Sequence, residues 1–411
     1  MIARYFEASN SGLIFFVTNS FALIVTLSSL SMESGVAYYV ASGEIPLPGL
    51  ANFSLWWILL STIAAFFLLP VFIHFRILPP SDTQYLLPAI CYVAGCMLVN
   101  FFAAAFYSKK NFALPNIILS VVNVILLILV PVSDGRLFSF DTYVNIYFAG
   151  FLAQGVLIAV LFYIKYGNLL LLQFPVRSGI VKIVRYSMTA FLANLLFFLV
   201  YRIDYWFVES YCSSSALGNY IQVSKLGQTL FILPSMVASA VFPAIIKPEE
   251  HRLGEKVATI ARVLLLIYLF ICLILALTGY WLFPVVFGET FSDMYVAFLL
   301  MMPGILVLTM LFPVTAYYAG VKKISVNVVS LFCALIIIIA GNIVITPRYG
   351  INGAALVSSV GYIFYHILII SFFLKENTIS YLRFYKIRMS DFSKLQQMII
   401  DNRKPSYESK Q

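Results

Sequence analysis

Eleven apolar runs of about twenty residues each, separated by short polar connectors, constrain this chain more than any other feature. They fall at 12–32, 53–75, 84–106, 113–132, 143–164, 186–208, 217–245, 259–285, 295–318, 325–346 and 351–374. A bilayer core takes about 20 apolar residues per crossing helix. In hydrocarbon a spanning backbone must satisfy its own hydrogen bonds, so each run is expected to be a helix. Pro88, Pro234 and Pro313 lie inside runs. In water they would argue for breaks, but membrane helices tolerate them because neighbours satisfy the freed groups. The longest connector, near 166–185, is too short to fold alone. The expected fold is therefore all-α and polytopic.

Composition agrees. The chain is 62% hydrophobic and 10% charged, with a mean hydropathy of +0.96. Soluble domains carry about 25% charged residues. A water-soluble fold of this composition would lack the polar side chains to cover its surface.

The net charge of +9 could suggest nucleic acid,. However, the basic residues are spread over connectors and tail and form no aromatic-interleaved stripe. No nucleic-acid partner is expected. Their distribution orients the chain instead. Twenty lysines and arginines fall on one set of alternate connectors and in the tail, from Lys109 and Lys110 through Lys165, Arg262 and Lys323 to Lys410. Only Arg4, Arg76, Arg136 and Arg348 fall on the other side. The C-terminus is expected in the cytoplasm.

The five cysteines form no CxxC pair, and His74, His251 and His366 are isolated. Neither a disulfide framework nor a metal site is indicated. No nucleotide-binding or hydrolase motif is present, so no cofactor and no enzyme activity are expected.

A short repeat relates the two halves. Gly12-Leu-Ile-Phe-Phe-Val-Thr-Asn19 is similar to Gly218-Asn-Tyr-Ile-Gln-Val-Ser-Lys225, and Leu27 and Leu233 follow at the same offset. Span 186–208 then wants a counterpart before residue 1. The expectation is an ancestral set of twelve helices in two lobes of six, with most of the first helix missing here. The expected divisions are a helical bundle over 1–165, a cytoplasmic connector over 166–185, a second bundle over 186–374 and a basic tail over 375–411.

Several stretches carry a family resemblance. They are Tyr201-Arg202-Ile-Asp204 followed by Ala216-Leu-Gly218-Asn-Tyr220, Leu233-Pro234 followed by Phe242-Pro243, Leu282-Phe-Pro-Val-Val-Phe-Gly288, and Pro347-Arg-Tyr-Gly350-Ile-Asn-Gly353-Ala-Ala355. In this order and spacing, residues 185–374 resemble the multidrug/oligosaccharidyl-lipid/polysaccharide (MOP) exporter superfamily, within it the O-antigen flippases of the Wzx type. The first half fits more loosely through Glu33-Ser-Gly35-Val-Ala-Tyr-Tyr39. The resemblance implies two pseudo-symmetric bundles around a central cavity. It also implies alternating access and a cargo of undecaprenyl-diphosphate-linked oligosaccharide, moved to the periplasmic leaflet of a bacterial inner membrane. A polysaccharide polymerase and a chain-length regulator are the implied protein partners. A multidrug exporter of the same superfamily is one alternative. A membrane-embedded polymerase or ligase is another, although no long Arg- and His-bearing external loop is present.

Ionisable residues at membrane depth cost about 2.5–3.5 kcal/mol each on insertion scales, so they avoid lipid. Arg202 and Lys225 are the basic residues inside predicted spans. They either bind a phosphate or acidic sugar, Arg by a bidentate fork and Lys as a point charge, or form structural ion pairs with Asp204 or Glu209. Asp204 and Glu33 are the candidates for ion coupling. Glu33 alternatively sits in the headgroup zone at the inner end of the first span. Asn19, Asn194, Gln222 and Gln228 either hydrogen-bond sugar hydroxyls or tie helices together. Leu169–Val184 and Ser380–Ile400 mix basic and large apolar residues, as interfacial helices do; a solvated tail is the alternative for the second.

Overall fold

A computed structural model describes residues 2–79, 85–132, 139–166, 177–238, 253–321, 323–386 and 391. The described residues are almost all helical: α1 (Ile2–Ser29), α2 (Met32–Ser42), α3 (Leu47–His74), α4 (Leu86–Ser108), α5 (Ala113–Val132), α6 (Phe140–Lys165), α7 (Arg177–Arg202), α8 (Asp204–Tyr211), α9 (Ser214–Leu230), α10 (232–238), α11 (Leu253–Phe287), α12 (Met294–Gly320), α13 (Ile324–Glu376) and α14 (Tyr381–Tyr385). Among them, nine helical stretches are long and apolar enough to cross a membrane, with α7 and α8 counted as one.

The nine hold ten of the eleven expected runs, two of them in α13, and the eleventh, 217–245, lies outside the nine. At 53 residues α13 is too long for one crossing, since a helix of that length would extend about 80 Å. It bends at Gly350, whose φ of 57° and ψ of −141° leave the helical region. Gly341 faces Val357 and Gly361 faces Ile338, so the two arms run back along each other from that apex. These arms are the runs 325–346 and 351–374. The run 217–245 begins in α9 and continues through α10, although Phe242-Pro243 lies outside the described residues.

Two compact units emerge, Met1–Phe198 and Leu199–Gln411. In the first, α4 packs closely along α6. Gly95 and Gly155 meet at this crossing, where a Cβ on Gly155 would sit 2.6 Å from the Gly95 carbonyl oxygen. Small residues allow such approach where lipid supplies no hydrophobic drive between helices. Gly35 plays the same part between α2 and α7, facing Ser187. In the second unit α12 packs along α13, with Gly304 against Ser359 and the Ser359 hydroxyl accepting from the Gly304 amide at 2.9 Å.

Two elements differ from expectation. The stretch Leu169–Val184 was expected along the membrane surface, but its described part, 177–184, forms the first turns of α7. Ile183 is fully buried there, Val181 is half-exposed, and Lys182 reaches Glu44 at 3.2 Å. The tail is not simply solvated where it is described. Phe384 is buried, and Asp391 grips Arg262 through Nε at 2.9 Å and Nη2 at 3.0 Å. Arg262 also donates to the carbonyls of Arg383 and Phe384. A guanidinium offers five donors in a fixed fork, and here it binds α14 and the tail to α11.

Candidate functional site

Each unit contains its own polar cluster. In the second unit the chain leaves α7 at Arg202, passes Ile203 and enters α8 at Asp204. The Asp204 carboxylate is fully buried. One of its oxygens, Oδ2, accepts from the Tyr220 hydroxyl and from Ser358 Oγ at 2.6 Å. The other, Oδ1, is buried with no hydrogen-bond partner among the described residues. Structural pairing of Asp204 with a cation was one expectation; the structure surrounds it with hydroxyls from α9 and α13 instead.

Arg202 points to the other side of this break. Its Nη2 donates to Gln228 Oε1 at 3.2 Å. Gln222, Lys225 and Gln228 recur every third residue of α9, so they share a face,. Lys225 is half-buried and lies within electrostatic reach of Arg202. Gln222 Oε1 and Gln228 Nε2 are buried without partners among the described residues. Tyr201 and Tyr362 pack beside them with ring centroids 5.4 Å apart and planes tilted by 32°, and Tyr362 interacts with both Arg202 and Asp204. The result is a basic, amide-lined face adjoining a hydroxyl-bound carboxylate.

Asn194 and Glu33 lie in the first unit, at a different feature. Between α1 and α2 the backbone turns left-handed at Leu30 (φ 49°) and Ser31 (φ 55°). The break lies opposite the middle of α3: the Ser28 carbonyl accepts from Ser61 Oγ at 3.0 Å, and the Ser29 carbonyl from Trp57 Nε1 at 2.8 Å. Irregular backbone at membrane depth persists only where protein groups satisfy it. Asn194 donates to Ser31 Oγ at 3.1 Å. Glu33 stands in the first turn of α2, with Oε2 buried and no hydrogen-bond partner among the described residues. Glu33 thus follows directly on the helix break whose carbonyls Trp57 and Ser61 hold.

Of the residues singled out from sequence, the structure gathers Arg202, Asp204, Gln222 and Lys225 in one unit and Asn194 with Glu33 in the other. Sequence reasoning missed Ser358, Trp57 and Ser61. The run Ser28-Ser29-Leu30-Ser31 was the available signal for the break, since serines compete with helical backbone hydrogen bonds.

These geometries sit in a recognisable architecture. An inward-facing multidrug resistance MATE family transporter of the MOP superfamily superposes with a TM-score of 0.72 at 13% identity, over 92% of this chain and 93% of that one. The lipid II flippase MurJ, in an inward closed conformation, gives 0.70 at 14% identity, over 97% and 88%. This chain has the MOP transporter fold. The Vibrio cholerae MATE transporter VcmN in its bent form is a third example, at a TM-score of 0.60 and 15% identity, over 94% and 99%. A family model described as a polysaccharide biosynthesis protein matches residues 144–296. No curated protein sequence matches significantly. This is the fold that the resemblance carried by Arg202-x-Asp204 and by the Pro347–Ala355 stretch implied. The polysaccharide match includes α7, α8 and α9, the elements that form the basic face.

Proposed function

We propose that this chain flips an undecaprenyl-diphosphate-linked oligosaccharide from the cytoplasmic to the external leaflet of a bacterial inner membrane by alternating access, for O-antigen, capsule or exopolysaccharide synthesis. The observation that carries the reading is the adjacency of Arg202 and Lys225 on a half-buried, amide-lined face. Two like charges repel, and the repulsion grows as water is excluded. A diphosphate relieves it, taking a bidentate contact from Arg and a point charge from Lys. Gln222 and Gln228 supply neutral hydrogen-bonding groups beside it. An exporter of organic cations would call for acidic groups at these positions.

Asp204 and Glu33 are the residues proposed to carry the coupling ion. Each has one buried carboxylate oxygen free of hydrogen bonds among the described residues. The cytoplasmic C-terminus follows from the lysine and arginine distribution, and a polymerase with its chain-length regulator would receive the flipped cargo.

The test replaces Arg202→Gln and Lys225→Gln separately and measures the leaflet distribution of lipid-linked saccharide in cells lacking the native gene. Cytoplasmic-leaflet accumulation, with flipping at least tenfold down and membrane abundance normal, is the expected result. Wild-type flipping in both variants would remove the reading.

A further inference from the structure

The first unit contains a cavity of about 220 Å³ that the basic face does not include. It is lined by Leu13, Ile14 and Val17 of α1, Tyr85 and Pro88 at the start of α4, and Phe140, Asp141, Val144 and Asn145 at the start of α6. Its size excludes much. Drug-sized ligands occupy pockets of about 300–1,000 Å³. A single sugar ring fits this cavity.

The lining has mixed chemistry. Asp141 and Asn145 are one turn apart on α6 and share a face. Neither side chain is hydrogen-bonded to another described residue. Nor is Asp141 needed to cap its helix, because Ser139 Oγ accepts from the Thr142 amide at 3.3 Å. Asp141 and Asn145 are both solvent-exposed; a carboxylate and an amide beside two aromatic rings and an aliphatic floor match a sugar: hydroxyls on its edge and C–H bonds on its face. By the proposed orientation the cavity opens on the external side.

We infer that this cavity is a monosaccharide subsite that engages one sugar of the cargo at the external face, with Asp141 and Asn145 bonding its hydroxyls and Tyr85 and Phe140 covering its ring. The inference rests on the flippase reading for its external placement, and its test does not require transport.

The experiment is saturation-transfer difference NMR on the full chain in phospholipid nanodiscs. The probes are glucose, galactose, N-acetylglucosamine, N-acetylgalactosamine, rhamnose and glucuronate, with tetraphenylphosphonium as an organic cation. At least one sugar is expected to give a signal that falls threefold or more in the Asp141→Ala/Asn145→Ala variant and in Val17→Trp, which fills the cavity. Monodispersity and thermal transition, checked alongside, keep a folding defect from passing as loss of binding. Lys225→Gln, which disables the proposed anion site, is expected to keep the sugar signal, so failure of transport and failure of sugar binding are read separately. The inference is overturned if no sugar gives a signal, if both cavity variants keep it while folded, or if tetraphenylphosphonium alone binds.

Discussion

Asp391 and Arg262 form a buried two-pronged ion pair across 129 positions of sequence, Nε to Oδ2 at 2.9 Å and Nη2 to Oδ1 at 3.0 Å. Thr259 Oγ1 and the carbonyls of Arg383 and Phe384 occupy remaining donors of the guanidinium. Removing one partner of such a pair leaves a buried charge and typically costs about 3–5 kcal/mol. Asp391→Ala and Arg262→Ala are each expected to lower the thermal transition of the purified protein markedly. The apolar double variant Arg262→Met/Asp391→Leu is expected to recover most of the loss. Equal damage from the double variant would show that the pair does not act as a unit.

Tyr220 and Ser358 are expected to matter through Asp204. Each hydroxyl donates to the buried Oδ2, and deleting one partner of a buried acceptor costs about 1–3 kcal/mol. Tyr220→Phe and Ser358→Ala should each destabilise by that order. In the Asp204→Asn background their effects should shrink, a non-additivity that a double-mutant cycle measures.

The hinge at Gly350 requires glycine. Its φ of 57° with ψ of −141° is a conformation closed to residues bearing a Cβ,. Gly350→Ala is expected to cost about 1–3 kcal/mol by the same argument, although the nearest side-chain atom to an added Cβ, Cys212 Sγ, is 3.7 Å away. Backbone strain and not crowding then sets the penalty, so Cys212→Ala in the Gly350→Ala background should not relieve it. Thermal melting of the single and double variants decides between the two causes.

Trp57 and Ser61 hold the break between α1 and α2. Trp57→Phe and Ser61→Ala each remove a donor from a carbonyl with no helical partner, again at about 1–3 kcal/mol. Because Glu33 begins the next turn, both variants are also expected to change the pH dependence of flipping, while Ser54→Ala on the same helix is not. Ser54 donates to the Leu50 carbonyl within α3. Unaltered pH profiles in Trp57→Phe and Ser61→Ala would separate Glu33 from coupling.

Much of the fold was legible before any coordinates. Helix in hydrocarbon is enforced locally, because every peptide group must bond within its own segment. Apolar length therefore located the spans, and the run 113–132 coincides with α5. The gap between the runs 325–346 and 351–374 likewise located the turn inside α13. The site was legible as residue types, since buried charge is expensive wherever it occurs. Arg202, Asp204, Lys225 and Glu33 stood out for that reason alone.

What those residues touch was not legible. Ser358 lies 154 positions from Asp204 and carries no charge, so nothing local distinguishes it from any other serine in an apolar run. The same holds for Asp391, one of four acids in a basic tail, until α11 brings Arg262 to it. Hydropathy and charge act over one or two turns of chain and so are written in the sequence. Which hydroxyl meets a carboxylate, where Ser28-Ser29-Leu30-Ser31 breaks a helix, and which side chains enclose a cavity depend on packing between helices distant in sequence, and only the assembled bundle decides them.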